Sequence, residues 1–230
     1  MKNIFFWSIC LSLFSLSACN NNGTTTTQPN KEKLAISQIN YYLRYMVAKL
    51  EVEAKATFKS DSTSIEIPGG VTLNHEPMRI AKLPKIGQQY RFLDDRVPLE
   101  KRYIFRYKDT DGTKYADTIG LAEFNDFKIG SEISQRKGGL LIWEGAVLDK
   151  MDAMTFILTD SKGKTLTINH VGTSQGTKIP IQANHLAGFA LGEVTLIANR
   201  KRTVIYARNN APIRLVMEYY LKPITFELKE

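Results

Sequence analysis

KLEVEAKATFK, residues 49–59, alternates without a break. Leu50, Val52, Ala54, Ala56 and Phe58 fall on one side; Lys49, Glu51, Glu53, Lys55, Thr57 and Lys59 fall on the other. Successive side chains of a strand point to opposite faces. The stretch therefore predicts a strand with one buried and one wet face, the pattern of an antiparallel sheet.

Downstream of it, short apolar runs and turn residues repeat about every ten residues. SIEI is followed by Pro68-Gly69-Gly70 and VTLN. YIFRYKD and TKYADTI flank Asp111-Gly112, a hairpin signal. MTFILTD and KTLTINH are joined through Ser161-Lys162-Gly163, after LLIWEG and before KIPIQ. EVTLIAN and TVIYARN read as two strands joined by Arg200-Lys201-Arg202, and IRLVMEYYLKPITFEL closes the chain. Phe105, Asp109 and Gly112 share their spacing with Phe156, Asp160 and Gly163, an echo that hairpin chemistry alone explains. Upstream, Ile36, Ile39, Leu43, Val47 and Leu50 recur at three- and four-residue steps, which predicts a short helix. Tyr41, Tyr42 and Tyr45 in the same stretch also suit a strand.

The expected fold is all-β: two consecutive antiparallel β-sandwich domains, residues 34–127 and 128–230. The boundary is placed near the start of the polar, glycine-containing stretch FNDFKIGSEISQRKGG, residues 124–139. In the second domain, Leu140-Leu141-Ile142-Trp143 and Thr155-Phe156-Ile157-Leu158 resemble strands of the immunoglobulin-like and fibronectin type III families. That resemblance implies a buried Trp143 in the core. A glycan platform would instead need its face exposed.

The N-terminus carries a different signal. Lys2 is the sole charge before Lys31, and IFFWSICLSLFSL, residues 4–16, is uncharged and too short to span a bilayer as a helix. This is the anatomy of a secretory signal, residues 1–18. Leu16-Ser17-Ala18-Cys19 resembles the bacterial lipobox. The resemblance implies diacylglycerol on the Cys19 sulfur and cleavage before it, with acyl chains that anchor the protein firmly in a membrane. Cys10 leaves with the signal, so no disulfide is expected. Residues 19–33 form a polar tether reaching about 20 Å on average. The whole chain resembles two-domain β-sandwich lipoproteins of Bacteroidota. Surface lipoproteins of that group carry an acidic signal just after the cysteine; the first acid here is Glu32, which favours the periplasmic side of the outer membrane over the cell surface.

Loss of 18 residues including Lys2 leaves 212 residues of formal charge +7. Export argues against nucleic acid as the partner of this charge. Phosphate-bearing lipids, anionic glycans or acidic proteins fit better. Arg200, Lys201 and Arg202, with Arg208, form the densest basic run and are the candidate contact for an anionic partner; otherwise they are a solvated hairpin tip.

Other motifs carry less. Gly172-Thr173-Ser174-Gln175-Gly176 fits G-x-S-x-G, but strands flank it where a nucleophile elbow needs strand then helix. Asp109-Thr110-Asp111-Gly112 begins like a calcium loop, yet Gly120 stands where the bidentate Glu belongs. It reads as a hairpin turn, with weak calcium binding by Asp109, Asp111 and Asp117 as the alternative. His75, His170 and His185 show no metal-ligand spacing. No cofactor is expected. The sequence points to a lipid-anchored, non-enzymatic binding or assembly module of the cell envelope. The alternatives are a carbohydrate-binding accessory lipoprotein of a glycan-uptake system, or a fimbrial-subunit-like lipoprotein with a groove for a donated strand.

Overall fold

The first strand, β1 (Gln38–Met46), lies where the spacing predicts a helix. The computed structural model describes residues 34–84, 87–96, 98–120, 124–130 and 132–230. Cys19, the signal and the tether lie outside the described residues. In β1 the buried residues are Ile39, Tyr41, Leu43 and Tyr45, each at most 2% exposed. The two tyrosines complete a period of two that the aliphatic residues alone conceal. Each such side chain contributes roughly 1.5–3 kcal/mol by burial. Both edges of β1 are also paired, in parallel with the last long strand and antiparallel with the next strand in the chain. Long-range pairing on two edges outweighs the local helical spacing.

The remaining strands are β2 (Glu51–Ser60), β3 (Thr63–Ser64), β4 (Val71–Leu73), β5 (Glu76–Pro77), β6 (Arg79–Leu83), β7 (Gly87–Asp94), β8 (Tyr103–Lys108), β9 (Lys114–Ile119), β10 (Phe124–Ile129), β11 (Gly139–Gly145), β12 (Asp152–Asp160), β13 (Thr165–Val171), β14 (Lys178–Ile181), β15 (Gly192–Arg208), β16 (Ala211–Tyr220) and β17 (Ile224–Leu228). The only helical element among the described residues is a 3-10 turn, Ala183–Leu186. The alternation quoted above is β2, with one change. Leu50 sits in the turn before it at φ 52° and is 46% exposed, so the strand begins at Glu51.

A long sheet runs β13-β12-β15-β16-β1-β2-β7-β6, with β17 beside β15 and β3 beside β2. Two small sheets, β5-β4-β8-β9 and β10-β11-β14, lie on one face of it. The first packs on the β1–β2 half, where Tyr41 stacks on Phe105 at 4.5 Å and Phe58 meets Tyr107 at 4.9 Å. The second packs over β12 to β16, through Phe127 with Phe156 of β12 and Phe124 with Tyr219 of β16. The all-β, sheet-on-sheet fold thus takes the form of two small sheets on a shared long one. The polar stretch near the expected boundary contains β10, whose Phe124 and Phe127 are buried, and Lys31–Glu230 forms one compact unit.

The hairpins explain the echo in the sequence. In β8–β9 the Asp109 N–H donates to Thr113 and the Gly112 N–H to Asp109; in β12–β13 Asp160 and Lys164, Gly163 and Asp160 repeat the pattern. Gly112 and Gly163 both take positive φ, 90° and 81°, which glycine adopts without the Cβ penalty. β15 departs from expectation. It is a single strand of 17 residues with Arg200-Lys201-Arg202 inside it, not a pair joined at those residues. Its turn comes at Asn209-Asn210, both at positive φ, as a two-residue hairpin loop requires.

Candidate functional site

The pleat of β15 splits the basic run. Arg200 and Arg202 point to the covered face, Lys201 to the open one. Arg200 is fully buried. Its guanidinium donates to Asp152 Oδ2 at 2.5 Å and to the carbonyls of Ala146 and Val147 at 3.2 Å. Arg202 donates to Asp152 Oδ1 at 2.8 Å and to Asp149 at 2.6 Å. Burial pushes the Asp152 carboxyl up, but hydrogen bonds from Arg202 and Arg200 outweigh it and hold the pKa below the usual aspartate value. Arg208, farther along the same face, pairs with buried Asp117, which also accepts from the hydroxyls of Tyr206 and Tyr41. Burial first, then the Asp117 charge, raises the Tyr41 pKa well above its ordinary value. The predicted contact set is therefore not a surface patch. Arg200 has no face to offer a partner, Arg202 and Arg208 are committed to carboxylates, and Lys201 lies 3.7 Å from Glu218.

The other motifs also resolve into structure. The Ser174 hydroxyl donates to the Gly176 carbonyl at 2.7 Å and accepts from the Leu148 N–H at 3.0 Å, pinning its loop. His170 Nε2 contacts the Thr173 carbonyl at 3.1 Å. Asp109 accepts from the N–H groups of Leu34 and Thr110, Asp111 from Thr113, and Asp117 is held by Arg208. Among the described residues no group of three or more His, Cys, Asp or Glu could hold a metal ion. Trp143 is 1% exposed and donates its Nε1–H to the Ala146 carbonyl. It is core, and the glycan-platform reading loses that anchor.

What the sequence did not assemble is the open face of the long sheet. Its register aligns Lys201, Glu218, Arg44 and Glu53 across four strands, alternating in sign. Glu53 is paired three times: with Arg44 at 2.7 Å, Lys55 at 2.8 Å and Arg91 at 3.3 Å. Burial raises its pKa, and Lys55, Arg44 and Arg91 together bring it below the usual glutamate value. Three cations on one carboxylate leave positive charge in excess. Beside them lies a depression of about 490 Å³ lined by Asn40, Tyr42, Thr57, Lys59, Gln89 and Arg214, with Ser62 and Ser64 at its wall. Gly87 lets that wall close: at φ 87°, a Cβ there would stand 2.7 Å from Ser64 Oγ. On the β12–β15 half of the same face Thr165, Thr159, Thr195 and Thr225 form one cross-strand row, with Lys201 opposite Ala153 to one side and Glu193 opposite Glu227 to the other. The wet face of KLEVEAKATFK signalled part of this surface. Arg44, Arg91 and Arg214 join it only through strand pairing.

No known family and no curated protein matches the chain. Among solved structures, one titled "Crystal structure of DIP-gamma IG1+IG2" is similar over 88% of this chain and 99% of its own, at 12% identity and a TM-score of 0.23. A likeness at that level carries no argument about fold or function. The class of the protein rests on its own geometry: an all-β protein with one covered and one open sheet face.

Proposed function

We propose that this is a lipid-anchored, non-enzymatic binding module of the bacterial cell envelope, and that the open face of the long sheet is its contact surface. The observation that carries the reading is the asymmetry of that sheet. One face is covered by two small sheets, whereas the other presents Arg44, Lys55, Arg91 and Arg214 around a polar depression. Opposite charge on a partner would be drawn to it at long range. Support for a binding role also comes from the polar groups a hydrolase would need. Ser174, Asp117 and Asp152 are each engaged in holding the fold together. The lipid anchor is carried by the lipobox-like sequence at Cys19.

The test places a photo-cross-linking amino acid in cells at residue 55, on the open face, or at residue 118, exposed on the outer side of β9. A discrete adduct at 55 and none at 118 is expected. Equal labelling at both, or none at 55, overturns the contact surface. Cys19→Ala is expected to release the protein from the membrane fraction, and retention there would overturn the anchor.

A further inference from the structure

We propose that the open-face depression binds an acidic saccharide, a sugar chain bearing carboxylate or phosphate groups. The inference rests on the reading of that face as the contact surface and names the chemistry it takes.

Beside Tyr41, Tyr42 and Val216, which line part of it, the depression has two kinds of polar lining. Asn40 and Thr57 face each other across β1 and β2, Gln89 of β7 adds a second amide, and Ser62 and Ser64 add hydroxyls at the wall. Such groups both donate and accept hydrogen bonds. An apolar partner would strip water from them and return nothing, at a cost for each. The hydroxyls of a sugar, which also donate and accept, replace that water group for group.

The second kind is charge. Lys59 and Arg214 stand on strands two spacings apart, about 10 Å across the sheet. Neither makes an ion pair among the described residues. Arg214 is exposed, and its planar fork suits a carboxylate or phosphate held by two parallel hydrogen bonds. In the next row Lys55 faces Arg91, and together with Arg44 one row farther on they share the single carboxylate of Glu53, so the excess charge continues beyond the depression. That continuity favours a chain of anionic units over one small anion. A lipid surface would meet the cations of the rim, but a flat surface does not reach the amide and hydroxyl floor. The two linings together select the acidic sugar.

The full chain, purified in detergent, is titrated with oligogalacturonate, its methyl-esterified form, a phosphomannan, inorganic phosphate, and phosphatidylglycerol vesicles. Binding to at least one of the two acidic saccharides is expected, about tenfold tighter than to the neutral ester or to phosphate, and weakening with salt. Arg214→Ala and Lys59→Ala should each weaken it about tenfold. Thr57→Val, which keeps the shape of the floor, should weaken saccharide binding several-fold and leave phosphate and vesicle binding unchanged. Thermal unfolding confirms that each variant folds. Binding to neither saccharide overturns the inference. So does binding to vesicles or phosphate as tight as to saccharide with Thr57→Val silent, which would mark a membrane-facing cation patch. If no saccharide binds while residue 55 still cross-links in cells, this inference falls and the contact surface stands. If both fail, both fall.

Discussion

Asp152 and Asp117 are buried carboxylates that face arginines of the same strand, β15, from different directions. Asp152 sits in the long sheet itself, on neighbouring β12, directly opposite Arg202. Its side chain and that of Arg200 are both 0% exposed. Asp117 belongs to the small sheet and reaches across the layers to Tyr41 of β1 and to Tyr206 and Arg208 of β15. Arg208 remains 23% exposed. The first clasp works within a layer and fixes the register of a long strand and the loop at Ala146 and Val147. The second works between layers and ties one small sheet down. Burial decides what each is worth. A charge sealed from water has no substitute for its partner, while one at the rim can be rehydrated.

The sharpest way to break this comparison is Asp152→Ala. It takes the Asp152 carboxylate away from the buried Arg200 guanidinium and from Arg202, and should cost about 3–5 kcal/mol in urea unfolding. A loss below about 1 kcal/mol would mean that the pair is not a clasp. The same site sets an acid limit. The folded pKa values of Asp152 and Glu53 lie below their ordinary values, so the stability they contribute is fully present above the unfolded carboxylate pKa. It is lost as pH falls through the folded values. Stability measured downward from pH 5 should decline, and Asp152→Asn should flatten part of that slope. An unchanged slope would remove Asp152 from the account.

Asp117→Ala should cost less, about 1–3 kcal/mol, because Arg208 can turn to water while Tyr41 loses its acceptor. Amide exchange should rise in β8 and β9 and stay unchanged in β10 and β11. Equal loosening of both small sheets would contradict a clasp between layers. At the bottom of the scale, Arg214→Ala and Lys59→Ala on the open face should change stability by no more than about 0.5 kcal/mol. A larger loss would show that these cations hold the sheet together and do not wait for a ligand.

Much of the fold was legible because strand periodicity is local. β2 could be read from its alternation, the β8–β9 and β12–β13 hairpins from Asp-Gly and Lys-Gly at their turns, and Trp143 from its place in LLIW. Two readings failed for one shared reason. Three consecutive basic residues look solvated, and Arg200 became core only because Asp152, 48 positions earlier, lies on the neighbouring strand. The β1 segment carried helical spacing, and pairing with β16, more than 160 residues later, made it a strand. The candidate site was half visible. Lys55, Thr57 and Lys59 stood on the wet side of the alternation, but nothing local linked them to Asn40, Gln89 or Arg214.

The sequence by itself determined the strand-rich character and most turns, and it alone carries the proposed anchor at Cys19. Each depends on neighbours a few residues apart. Tertiary structure decided which cations are buried, which face of the sheet stays open, and where the depression forms. Those outcomes depend on strand order and register, and partners distant in the chain are chosen by the burial and hydrogen bonding of the whole sheet rather than by any one segment.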